Sequence, residues 1–241
     1  MRLNVGKSRM FQEKTLPAGA RLVGWSALVQ SFGVRAPVRR PCVVAEQHIR
    51  GSRRADADWT IFDKRYWPGE DFGSHLEFAL RHEDVDPLIL KRLFDVLPQN
   101  AVAQFVRGAP TGAAARRAWF WYEFLTGRTL DIPELPPVTA IDLLDEKAYF
   151  TGKPRLSRRH KVRDNLLGTP RFCPIVRRTK ALQELLGRQL GARAEEIIGR
   201  TGVHVVARAA SFLLLADSRA SFAIEGERPP RGRLERWARK R

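Results

Sequence analysis

Five aromatic residues within six positions, Trp119, Phe120, Trp121, Tyr122 and Phe124, constrain this chain more than any other local feature. They close the stretch 111–125, which is rich in Ala and Arg, contains no proline and ends just before Gly127. That composition predicts a helix with a glycine stop. Successive helical residues are rotated by about 100°, so four adjacent aromatics point all round the axis. Each ring carries a large apolar area. Such a helix is read as part of a core, with rings left over to cover an interdomain surface.

The sequence on either side supplies the partners. Residues 22–32 place Leu22, Trp25, Leu28, Val29 and Phe32 largely on one face and end at Gly33 and Pro37, which predicts a helix. A second short helix is expected over 42–49, before a charged turn at Gly51-Ser-Arg-Arg. Trp59-Thr-Ile-Phe reads as a short strand. Helices follow over 71–80, from Asp86-Pro87 to Pro98, and over 101–107, the second opened by an Asp N-cap with Pro at the first helical position. The Pro-rich run 131–139 marks a boundary. Further helices are expected at 177–190, 192–198, 203–216 and 218–225, with Asp217 capping the last.

The predicted fold class is therefore mainly α. The expected divisions are a mobile N-terminus (1–15), a helical N-terminal domain (16–130), a Pro-rich and basic linker region (131–176), a helical segment (177–230) and a basic tail (231–241).

Hydrophobic residues make up 44% of the 241, too many for wholesale disorder. The longest apolar run, 203–216, is interrupted by His204 and Arg208 and is too short to span a bilayer. The N-terminus has no apolar segment before a small-residue cleavage site. These features predict a cytoplasmic protein with no membrane partner. Cys42 and Cys173 lie far apart among prolines and apolar residues and are read as buried, inert thiols. The net charge of +17 attracts polyanions, nucleic acid included. Residues 151–180 hold ten Lys or Arg against one acid, Asp164, with Phe172 as the sole stacking aromatic near its end, so a single-strand platform is not expected. His160 lies among Arg158, Arg159 and Lys161 and reads as exposed, with Asp164 as its nearest acid in sequence. No P-loop, paired-Cys metal site, nucleophile elbow or Rossmann fingerprint is present.

One motif carries a sharper reading. In Asp217-Ser-Arg-Ala-Ser-Phe-Ala-Ile-Glu-Gly226, Ser221 and Glu225 are four apart and share a helical face. Gly226 follows at once, where a helix can turn left-handed, and Ile224 is placed to anchor the helix in a core. This spelling resembles the inhibitory helix of Fic-family proteins, Ser or Thr, three residues, Glu, then Gly or Asn. Ser221, Glu225 and Gly226 match the three fixed positions. The stretches 115–127 and 160–170 also look like the N-terminal region of large bacterial Fic proteins, so the resemblance covers most of 16–237.

What the resemblance implies is regulation of protein AMP-transfer. In that family a core motif, HPFxxGNGR, transfers AMP from ATP, with Mg²⁺, to a target hydroxyl. The inhibitory Glu pairs with the motif's second Arg and denies it to the ATP γ-phosphate. None of the five histidines (His48, His75, His82, His160, His204) begins such a motif. The implied role is that of an autoinhibitory portion, truncated or split from its core and inactive alone. Ser221, Glu225 and Gly226 are its regulatory residues. It would have no catalytic, cofactor or metal residues of its own, and its partners would be a Fic core, in cis or trans, and an unidentified target protein. The alternative reading is a basic, helical nucleic-acid-binding protein.

Overall fold

The computed structural model describes residues 1–3 and 9–226; the end of the expected helical segment (227–230) and the basic tail (231–241) lie outside the described residues. The chain divides into two compact units, Met1–Arg178 and Thr179–Arg241.

The first unit opens with a hairpin, β1 (Met10–Phe11) and β2 (Lys14–Thr15), paired antiparallel. Its turn residues Gln12 and Glu13 both have positive φ, 46° and 64°. Two left-handed residues suit the twist of a tight hairpin. The Gln12 side chain holds the turn down: its amide donates to Ala36 O at 2.6 Å and its oxygen accepts from Val38 N at 2.9 Å. Leu3 and Phe11 are buried, so the segment expected to be mobile contributes to the core.

A four-stranded sheet follows, formed by β3 (Ala20–Leu22), β4 (Cys42–Ala45), β5 (Arg53–Ala55) and β6 (Thr60–Phe62) in the order β3-β4-β6-β5. The pair β4–β6 is parallel and the others are antiparallel. Helix α1 (Gly24–Ser31) connects β3 to β4. The helix expected over 42–49 is thus a strand. Val43 and Val44 are β-branched, Pro41 precedes them, and the run is too short for helical periodicity to decide. Central strands buried on both faces read as continuous apolar runs.

Four further helices join α1 in the core: α2 (Phe72–His82), α3 (Pro87–Val96), α4 (Gln99–Gly108) and α5 (Ala113–Thr126). Asp71 caps α2 by accepting from Ser74 N at 2.9 Å, and Asp86 caps α3 by accepting from Leu88 N and Ile89 N. Helix α5 packs on α2, α3 and α4, and Gly127 ends it in the left-handed conformation. Trp119, Trp121 and Tyr122 are fully buried, as an all-round aromatic helix requires.

The region 131–176, read from sequence as a linker, is folded onto this core. It contains β7 (Ile141–Asp142), β8 (Tyr149–Phe150), β9 (Arg155–Ser157) and β10 (Val162–Asp164), while β11 (Val176–Arg177) pairs with β8. Sheet order is β7-β10-β9. Strand β10 packs on α5, and Leu130, Leu143 and Leu144 are buried. Eleven strands among the described residues make the fold mixed α/β, and the mainly α expectation is corrected accordingly. Strands of two to four residues carry too little alternation to be recognised alone; long-range pairing defines them.

The second unit, as described, is helical: α6 (Lys180–Gly187), α7 (Leu190–Arg200) and α8 (Val203–Ile224). Thr179 caps α6 through Leu182 N. The expected break at Asp217 is absent, and Asp217 lies inside one continuous helix. Its Ala- and Leu-rich surroundings favour propagation over a restart. No described helix is long and apolar enough to cross a membrane.

Candidate functional site

The residues singled out by sequence converge at the end of α8. Ser221 lies in its last turn, and the Glu225 backbone N–H donates to Ser221 O at 3.2 Å. Gly226 follows with φ +72° and donates to Ala223 O at 3.2 Å. The helix therefore stops where the cap chemistry predicts. Ser221 and Glu225 are exposed on one face, and the Glu225 carboxylate makes no hydrogen bond or ion pair among the described residues. It sits against the negative end of the helix dipole, an unfavourable position that an arginine from elsewhere would relieve. Ile224, expected to anchor the helix in a core, is 87% exposed.

This unit is also unusually apolar on its outside. Leu186, Ile197, Val203, Phe212, Leu213 and Ile224 are all exposed. Along α8 the polar side chains His204, Arg208, Ser211 and Arg219 gather on one flank, Asp217 interrupts the opposite side, and the remainder is mostly Ala, Leu, Val, Phe and Ile. Helices with so broad an apolar arc are normally enclosed.

Two clusters in the first unit were not legible in sequence. His160 is 7% exposed rather than solvated. Its Nε2 lies 3.0 Å from Glu123 Oε2 and its Nδ1 2.7 Å from Ser157 Oγ. The acid that orients it comes from α5, not from Asp164. Glu123 also accepts from Trp119 Nε1 at 2.7 Å, Leu130 N at 3.0 Å and the Arg159 guanidinium at 3.2 Å. These donors and positive neighbours hold its pKa below the usual carboxylate value despite burial, while burial lowers that of His160. The arrangement pins the β9–β10 turn to α5. A carboxylate shared among so many donors is a structural hub.

The second cluster surrounds Glu83. Its carboxyl accepts from Trp25 N at 2.9 Å and lies against Gly24, whose φ is +57°. The side chain keeps part of its surface exposed on a cavity, yet burial of the carboxyl pushes its pKa up to about 8. Neighbouring Cys42 is buried, and burial pushes its thiol far above the ordinary range, in keeping with the inert reading. Among the described residues no group of three or more His, Cys, Asp or Glu is arranged to hold a metal ion.

No family model, curated protein or solved structure matches this chain.

Proposed function

We propose that the chain is the autoinhibitory portion of a Fic-type protein AMP-transferase, acting on a catalytic core in cis or in trans. The observation that carries this reading is the Glu225 carboxylate, exposed and without a partner among the described residues at the end of α8, followed by Gly226 in the left-handed conformation. A carboxylate held in this way suits bidentate capture of a guanidinium, and an Arg so engaged cannot also fork onto a phosphate. The exposed apolar arc of α8 supplies a surface for the core to cover. ATP and Mg²⁺ would be held by that core, and the protein receiving AMP by the assembled enzyme. A few kcal/mol of differential binding suffices to move such an equilibrium between blocked and active states.

The test is AMP transfer from labelled ATP by a Fic core, measured with and without this chain. The chain alone is expected to label nothing. Added to the core, it lowers the rate, and Glu225→Gly restores it while the variant still binds. Equal inhibition by wild type and Glu225→Gly, or labelling by the chain alone, refutes the proposal.

A further inference from the structure

A cavity of about 640 Å³ opens within the first unit, and its charge is lopsided. Arg39 and Arg40, from the turn before β4, line it together with Arg53 and Arg54 of β5 and Arg177 of β11. Arg177 is paired with Asp84. The other four guanidinium groups make no hydrogen bond or ion pair among the described residues. Some arginines elsewhere in this unit are tied down, Arg116 to Thr139 O and Lys161 O, Arg117 to Asp142 O and Arg163 to Asp142, while others, such as Arg35 and Arg92, are solitary on the surface rather than gathered at a hollow. Four like charges lining one hollow repel one another, a cost that an anion bound there would relieve.

We infer that this cavity binds a small phosphorylated ligand of nucleotide size carrying two or more phosphates. Guanidinium groups fork onto phosphate oxygens, and arginines carried by separate segments can grip successive phosphates. The volume falls within the range of small-molecule pockets. Val38, Leu88 and Ile175 give the wall an apolar stretch for the organic part of the ligand. The acids on the wall offer little opposition. Asp84 is paired with Arg177, the Asp86 carboxylate is turned onto the amides it caps at the start of α3, and burial pushes the Glu83 pKa up to about 8, which favours its neutral form at pH 7. A hollow of this size admits one nucleotide-sized group, whereas a duplex presents its phosphates on a convex surface. The inference is independent of the role given to Glu225.

The experiment is calorimetric titration of the full chain with ADP and with inorganic pyrophosphate, repeated with single-stranded and duplex oligonucleotides. The variants are Arg39→Gln/Arg40→Gln and Arg53→Gln/Arg54→Gln. Arg188→Gln/Arg193→Gln on the second unit controls for the same loss of charge. Melting curves verify folding, which exposed and unpaired arginines should not alter. The expected result is saturable binding of ADP and pyrophosphate near one equivalent, weakened at least about tenfold by each cavity pair and unchanged by the control. Lack of saturation with both small probes overturns the inference. Equal weakening by the control pair also overturns it, because diffuse charge would then be responsible. Binding of oligonucleotides alone, sensitive to the cavity pairs, overturns it in favour of a nucleic-acid backbone.

Discussion

Replacing Glu123 by Ala is expected to destabilise the first unit by about 3–5 kcal/mol, the range for removing one partner of a buried charged cluster. The magnitude follows from the donors left behind. Trp119 Nε1 and Leu130 N belong to fully buried residues and donate to Glu123 at 2.7 and 3.0 Å. Each orphaned donor costs about 1–3 kcal/mol. The Arg159 side chain is 42% exposed, so its ion pair adds only about 0–1 kcal/mol after solvent screening. Glu123→Gln is the discriminating control. Its carbonyl oxygen can still accept from Trp119 and Leu130, and the neutral His160 ring can exchange tautomers to face the new amide. It should cost about 1 kcal/mol, the share of charge in these bonds. Urea unfolding followed by tryptophan fluorescence reads the difference, since Trp119 and Trp121 report on the affected core. An Ala variant within about 1 kcal/mol of wild type, or a Gln variant as damaged as Ala, would refute the hub argument.

Three further outcomes can be measured. Gly24→Ala should destabilise by at least about 2 kcal/mol: φ is +57°, and a Cβ would lie 1.5 Å from Glu83 Oε1, so chemical denaturation showing a neutral substitution would contradict the packing. Burial lowers the pKa values of His75, His82 and His160 from 6.5, so folding favours their neutral forms. Their contribution is complete above 6.5 and is lost as pH falls through the folded values, which melting curves between pH 7 and pH 5 should register. Glu83 acts in the opposite sense: its pKa rises from 4.5 to about 8, so the native state holds the extra proton and stability declines as pH climbs between those values. Glu83→Gln should therefore gain on wild type as pH rises through that window and level off above it. A constant difference would show that Glu83 does not titrate there.

What could be read in the sequence was local chemistry. The Asp86-Pro87 cap, the aromatic core helix and the end of α8 at Glu225-Gly226 each depend on residues within a turn of one another. Strand β4 was read as a helix because four apolar residues carry no period. The region 131–176 looked like a linker because tertiary contacts hold its short strands. Arg116 reaches across to Lys161 O, and Asn165 bonds both backbone groups of Leu144, 21 positions away. His160 was misplaced for the same reason. Its neighbours in sequence are cations, but Glu123, which draws it inward, lies 37 residues earlier. The helix end at Glu225-Gly226 was legible as a motif. The arginine-lined cavity was not, since its doublets meet only once β4, β5 and β11 are assembled.

Four of the seven arginines of the basic stretch bear on where the chain's formal charge can act. Arg159 bonds Glu123 and Leu130 O, Arg163 is paired with Asp142, Arg177 with Asp84, and Arg178 bonds two carbonyls while lying 4.1 Å over the Phe150 ring. These cations already have their counterions inside the protein, as carboxylates and carbonyl dipoles. A polyanion approaching these four arginines would release few salt ions from them, so they would contribute little to the salt dependence of any association. The acids of these pairs are already subtracted in the net +17, so the surplus positive charge lies on basic residues without a carboxylate partner, the four unpaired cavity arginines among them.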